Sequence, residues 1–294
     1  MTSSAADRIA AAFLEACRAE LDAPKPGNVH AFAAGRDLTT REFLLSAEAA
    51  AAPIATSGAP VGTRIDAAVA ATFHAVGTNT NLGIILLCAP LAAAVELALA
   101  SPAASGGLRP ALAVVLDRLD IADAELAFGA IRRMSPAGLG SAAQHDVFAP
   151  ATVTLRQAMA AAAERDRIAH QYVTGFADIF EVGEPVLVAG LTRWSDPVWA
   201  TLAAYLAFLS AYPDTHILRK HGAEVAAAVR LEAEHFRQRL AATGAPAVLL
   251  PELLAWDAAL KAAARNPGTS ADLTVASLFT LRLRKILPST RNNG

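Results

Sequence analysis

Carboxylates, amides and strong cations gather at a few turns of this chain. The first is Ala23-Pro24-Lys25-Pro26-Gly27-Asn28-Val29-His30. Two prolines hold the backbone extended around Lys25 and Gly27 permits a turn, so the ammonium could meet phosphate as a point charge beside Asn28. A helix-ending turn with a solvated lysine fits the same spacing. The second turn, Gly77-Thr78-Asn79-Thr80-Asn81-Leu82-Gly83, opens the most apolar stretch of the sequence. Helix-start N–H groups suit an anion or a ribose hydroxyl, and Asn79, Thr80 and Asn81 exceed the single side chain that N-capping needs.

The third turn is Met134-Ser135-Pro136-Ala137-Gly138-Leu139-Gly140, followed by Gln144, His145 and Asp146. Its Gly-x-Gly-x-x-Ala pattern follows no clear strand, which argues against a dinucleotide-binding fold. The fourth candidate is a helix expected over residues 166–181. Asp178 and Glu181, three apart on one face with Gln171 seven before Asp178, could hold magnesium; a solvated acidic edge explains them equally well. The fifth, Asp214-Thr215-His216-Ile217-Leu218-Arg219-Lys220-His221-Gly222, could clamp a triphosphate, or could simply place cations at a helix C-terminus. The sixth, Asn266-Pro267-Gly268-Thr269-Ser270-Ala271-Asp272-Leu273, makes a turn, a cap at Ser270 and a buried Asp272. Zinc spacings, a P-loop and a serine-nucleophile elbow are absent.

The elements between these turns are helical by pattern. Ile9, Phe13, Cys17 and Leu21 recur at helical spacing, as do Tyr172, Phe176 and Phe180. Thr39 with Glu42 forms a capping-box signature, and Ser195-Asp196-Pro197 marks another start. Breaks fall at residues 24–35, 53–62, 101–110, 135–140, 183–190, 213–222, 244–251 and 266–268. The expected architecture is all-α: a single bundle of ten or more helices over residues 1–287, with a frayed tail at 288–294.

Composition supports this. The chain has 294 residues, 54% of them hydrophobic and 18% charged, which excludes disorder as the main state. Abundant alanine favours helices. A net charge of −2 without a basic stripe argues against nucleic acid. The mean hydropathy of +0.37 raises the membrane question. The longest apolar run, residues 82–95, contains Pro90 and falls short of the roughly 20 residues a span needs, so a core helix is expected. Asp7, Arg8 and Glu15 argue against a secretory signal. Cys17 and Cys88 read as reduced core residues of a cytoplasmic protein, and the apolar composition is compatible with a homodimer.

Four of these motifs, Pro24–Val29, Gly77–Gly83, Asp214–Gly222 and Asn266–Leu273, stand in the order seen in the triphosphoribosyl-dephospho-CoA synthase family, which the chain resembles over nearly its whole length. Citrate-lyase members tend to read Lys-Pro-Gly-Leu-Val-Asp and Asn-Thr-His-Lys-Gly at the first two motifs. This chain looks more like a branch from archaea and methylotrophic bacteria. The resemblance implies transfer of the triphosphoribosyl part of ATP to the 2′-hydroxyl of 3′-dephospho-CoA, with release of adenine and with magnesium on the triphosphate. Such transfer passes through an oxocarbenium-like state and needs charge stabilisation and proton transfer. On that basis Asp178, Asp272 and Glu15 are the catalytic candidates. Lys25, Arg219 and Lys220 would meet phosphate. Asn28, Asn79, Thr80, Asn81, His216 and Ser270 would contact substrate, and Asp178 with Glu181 would bind the metal. Three other readings stand beside it: a pterin- or nucleotide-directed transferase of one-carbon cofactor synthesis, a metal-dependent ADP-ribose glycohydrolase, and a non-catalytic helical binding module.

Overall fold

The computed structural model describes residues 3–33, 38–101, 106–134 and 144–288, and within them the chain forms fourteen α-helices and no strand. In chain order these are α1 (Ala5–Leu21), α2 (Thr40–Ile54), α3 (Val61–Val76), α4 (Leu82–Ala100), α5 (Leu108–Arg118), α6 (Ile121–Met134) and α7 (Leu155–Ala162). They continue with α8 (Arg167–Thr174), α9 (Glu184–Trp194), α10 (Pro197–Ala211), α11 (Thr215–His221), α12 (Ala223–Ala242), α13 (Leu250–Ala262) and α14 (Gly268–Ile286). A π-helical turn, Ile179–Gly183, leads into α9, and a 3₁₀ turn, Pro246–Leu249, into α13.

The caps explain most starts. Thr39 and Glu42 close a capping box ahead of α2, and Asp196 accepts the Val198 N–H at 2.9 Å beside Pro197 at the start of α10. Two expectations are corrected. Residues 166–181 are not one helix: α8 ends where Gly175 and Phe176 take left-handed backbone (φ 64° and 62°). Ser270 does not cap α14. The helix already begins at Gly268, and Ser270 donates its backbone N–H and its hydroxyl to Asp214 Oδ2, each at 2.8 Å.

The apolar run expected over residues 82–95 continues to Ala100, so α4 is 19 residues long, and by length and composition alone it could cross a membrane. It is apolar all round because it is surrounded. Helices α3, α5 and α14 pack on it, and Ile85, Leu87, Leu91 and Val95 have no exposure. Tyr172 on α8 donates to the Leu86 carbonyl at 2.6 Å, which fixes α8 over the first turns of α4. Phe13 of α1 meets Phe279 of α14 edge to face at 5.9 Å. The buried side chains form two clusters, one around α4 and one among α10, α12 and α13, with α10 and α14 contributing to both.

Candidate active site

The starts of α4, α8, α11 and α14 open on one cleft of about 1060 Å³. Helix N-termini carry partial positive charge; Asp166 and Asp214 already accept the first N–H groups of α8 and α11, so the starts of α4 and α14 are the ends that favour an anion here. Asn79 and Thr80 line it at the start of α4, where Asn79 Oδ1 accepts the Leu82 N–H at 3.2 Å and the Thr80 hydroxyl donates to Ser46 Oγ at 2.6 Å. Asn28 lines it from the first motif and donates to Asn266 Oδ1 at 2.8 Å, which ties that motif to the last one. Gly27 permits this docking. Its φ is +83°, and a Cβ there would stand 2.8 Å from the Arg265 carbonyl oxygen and from Pro267 Cδ.

Asp272 sits at the meeting point of α4 and α14. A Cβ on Gly83 would lie only 2.1 Å from Asp272 Oδ2, so glycine is what lets this carboxylate rest on the first turn of α4. Burial pushes the Asp272 carboxyl well above its ordinary value, and the like charges of Asp214, Glu20 and Asp166 add to the push while Arg219 opposes it.

Arg219 and Lys220 line the cleft from α11, as does His216. Arg219 stands 3.7 Å from Asp166, the residue that caps α8. The His216 ring presses against the start of α14: a Cβ on Gly268 would be 2.7 Å from its Nδ1. Burial lowers the His216 pKa to about 4, helped by the neighbouring Lys220, Arg219 and His221. The opposite wall is more apolar, with Phe73, Phe128, Ile131 and Met159, and it carries Arg133 and Arg165.

Other expected site residues lie elsewhere. Lys25 has no exposure; its Nζ contacts Glu20 Oε1 at 3.0 Å and donates to the Val29 carbonyl at 2.6 Å, so it braces the loop beneath the cleft. Asn81 is buried behind the cleft, with neither amide atom partnered, beside a void of about 10 Å³ that it shares with Glu20 and Cys17, room for about one water. Ser270 is taken up by Asp214. Asp178 accepts two bonds from Arg167, at 2.6 and 2.8 Å, and one from Gln171 at 2.6 Å. Glu181 is exposed and paired with Arg109, and Glu15 is exposed beside Arg282 at 3.5 Å. Asp178, Glu181 and Glu15 are not among the cleft-lining residues. Asp178 and Glu181 both follow the break at Gly175 and Phe176, and each is engaged by an arginine, Asp178 by Arg167 and Glu181 by Arg109. Among the described residues, no group of three or more His, Cys, Asp or Glu side chains could hold a metal ion.

The cleft also contains residues that spacing did not single out: Glu20, Asp166, Arg133 and Arg165. Glu20 was legible only as a carboxylate five residues before Lys25, and Asp166 only as a helix cap. Of the third motif, Met134, Gln144, His145 and Asp146 line the cleft, while residues 135–143 lie outside the described residues.

An all-α fold whose cleft brings helix starts, Arg219, Lys220 and the Asp272 carboxyl together suits an enzyme that handles an anionic substrate. Comparison with known proteins narrows it. The family model CitG, ATP:dephospho-CoA triphosphoribosyl transferase, matches residues 6–291, so the chain belongs to this family. A crystal structure from Archaeoglobus fulgidus, provisionally described as a triphosphoribosyl-dephospho-CoA synthase, has the same fold: TM-score 0.59, 24% identity, covering 83% of this chain and 100% of that one. A search of curated proteins gave no match. The protein is an enzyme, a transferase that moves the triphosphoribosyl group of ATP to dephospho-CoA in the synthesis of a prosthetic group.

Proposed function

We propose that this transfer takes place in the cleft at the start of α4, with Asp272 as the acid that helps adenine leave. The observation that carries the reading is the Asp272 carboxyl resting on Gly83 at the start of α4, where burial pushes it above its ordinary value. Arg219 and Lys220 meet the triphosphate, assisted by the first-turn N–H groups of α4. Asn28, Asn79 and Thr80 supply donors and acceptors for ribose hydroxyls.

In the reaction the bond from the ribose C1′ to adenine N9 breaks and a bond from C1′ to the acceptor 2′-oxygen forms. Asp272 gives its proton to the departing base, which then leaves neutral. The oxocarbenium-like ribose forms near Asp166 and Glu20, and Asp272 adds its negative charge as its proton passes to the base. The acceptor's hydroxyl proton must be removed in the same passage.

Magnesium would arrive with the triphosphate rather than occupy a resident protein cage. Such magnesium needs only one or two carboxylates, and Asp166 is the cleft residue suited to meet it. Bound there it would neutralise phosphate charge. The cleft's size and its apolar opposite wall support a second substrate alongside ATP, with Arg133 and Arg165 available to the acceptor's pyrophosphate.

The test is to incubate the protein with ATP, magnesium and 3′-dephospho-CoA and to follow free adenine by chromatography. Adenine that appears only when the acceptor is present is the expected result. Adenine formed equally without acceptor would mean glycohydrolase chemistry, and no adenine at all would reject this acceptor.

A further inference from the structure

We propose that His216 is the general base that takes the proton from the acceptor hydroxyl as it attacks the ribose carbon. This rests on the cleft being the site of transfer.

The reaction requires a base near the acceptor, and the cleft's carboxylates are poorly suited to be it. Asp272 is pushed above its ordinary value by burial, Glu20 is bound to Lys25 at 3.0 Å, Asp166 is bound to the N–H groups of Ile168 and Ala169, and Asp146 accepts the Phe148 N–H at 2.9 Å. His216 differs from all four. Its backbone N–H donates to Asp214 Oδ1 at 3.0 Å, which fixes the start of α11 and the ring's origin. The Nδ1 edge is then pressed on Gly268, where even one methyl group would collide. The Asn266 carbonyl, which accepts the Gly268 N–H at 2.9 Å, also hydrogen-bonds the ring. A carbonyl can only accept, so it selects the tautomer with the proton on the nitrogen that faces it. With Nδ1 against α14, Nε2 is left with its lone pair for a ligand in the cleft.

The charges around the ring keep that lone pair available. On its own helix these are Arg219, Lys220 and His221; Asp214 binds its backbone, and Asn266 and Gly268 meet it from α14, on which Asp272 follows one turn later. In the cycle the hydroxyl proton moves to Nε2 as the new C1′–O bond forms, and adenine carries away the proton from Asp272. Exchange with solvent restores both groups, so the protons balance. Cations beside the ring would disfavour the imidazolium, but the triphosphate they hold offsets their charge when substrate is bound.

His216→Asn is the test, because an asparagine amide can still donate to the Asn266 carbonyl while nothing replaces Nε2. We expect kcat for adenine release with 3′-dephospho-CoA to fall by about 10²-fold or more, with KM for ATP changed by less than about threefold. The wild-type rate should be flat from about one pH unit above the ring's pKa, and the variant's residual rate should climb with pH as hydroxide takes over. A kcat within about threefold of wild type, or a loss confined to KM with the pH profile unchanged, overturns the proposal. Gly268→Ala should displace the ring and lower kcat in the same way. Nitrogen-15 NMR of the His216 ring judges the geometry without turnover. A neutral ring at pH 6 with its proton on Nδ1 is expected, and a charged ring or a proton on Nε2 overturns it. If the wild type releases no adenine, the reading of the site fails, while the ring spectrum still decides the tautomer.

Discussion

Where α14 meets α4, Asp272 rests on Gly83 with Asp214, Glu20 and Asp166 as its neighbouring charges. Beyond the end of α8, Asp178 is gripped twice by Arg167 and once by Gln171, and Arg167 lies over the Tyr212 ring at 3.5 Å. Both aspartates follow small residues in polar, Gly-marked segments. Their surroundings drive them in opposite directions. Burial and like charges raise Asp272, whereas at Asp178 burial would raise the carboxyl but the Arg167 and Gln171 bonds outweigh it and hold it below its ordinary value. One region buries a carboxyl among like charges; the other pairs a carboxylate with an arginine and so holds the fold.

Asp272→Asn should break this contrast with the largest effect. Loss of the proton donor should lower kcat by about 10²–10⁴-fold, read as adenine release. The same change should raise Tm at pH 7. A carboxyl whose folded pKa is raised binds a proton that the unfolded chain releases, so its contribution to stability falls as pH rises through the unfolded value near 4. Asparagine removes that loss, and the Tm gain should vanish at about pH 3.5. A variant with wild-type kcat, or with a lower Tm at pH 7, would place Asp272 with Asp178.

Asp178→Asn should do the reverse. Removing one partner of a buried pair commonly costs about 3–5 kcal/mol; Arg167 is partly exposed here, so about 2–3 kcal/mol by denaturant unfolding is expected. The folded variant should keep kcat within a few-fold. The wild-type stabilisation is present above the unfolded carboxyl value and is lost as pH falls through the lower folded one, so the two proteins should converge in stability under strong acid. A kcat loss like that of Asp272→Asn, in a folded protein, would give Asp178 a chemical role and erase the distinction.

How much of this was legible in the sequence follows from the range of the interactions. Capping at Thr39 and Asp196 depends on residues two or three positions away, and periodicity reports local burial, so the helices could be read. The order of four motifs marked the family, and each of the four contributes to the cleft. Pairings across the fold could not be read. Lys25 looked like an exposed phosphate ligand because nothing local shows that Glu20 and the Val29 carbonyl enclose it. Gly83 looked like part of a loop, although its function is to make room for a carboxylate 189 positions later in the chain. Asp178 and Glu181 were joined by an α-helical spacing, but a π-helical turn begins at Ile179 and the pairings with Arg167 and Arg109 have no local signal.

A smaller effect is expected from Lys220→Ala, which probes the cation side of the Asp272 region. Lys220 is exposed on the cleft, and a charge-assisted contact to phosphate there is worth about 1.5 kcal/mol, or about tenfold in KM for ATP. The effect should shrink as salt rises, because an exposed cation is screened. A kcat loss with KM unchanged would instead put Lys220 in the chemical step.

The smallest effect should come from Glu181→Ala, and it sharpens the Asp178 side of the comparison. Glu181 and Arg109 have side-chain exposures of 59% and 45%, so water already solvates both charges and the pair contributes about 0–1 kcal/mol. Arg109 also lies 5.4 Å from the Phe180 ring, a contact that survives the loss of Glu181. Tm should therefore move very little. The magnesium dependence of adenine release should not move at all if the metal travels with the triphosphate, since Glu181 and Asp178 are held apart by separate arginines. A raised magnesium requirement in Glu181→Ala, absent from Lys220→Ala, would mean that the π-helical turn after α8 rearranges to bind metal when substrate is present. Asp178 would then have to exchange Arg167 for the ion, and the same shift should appear in Asp178→Asn.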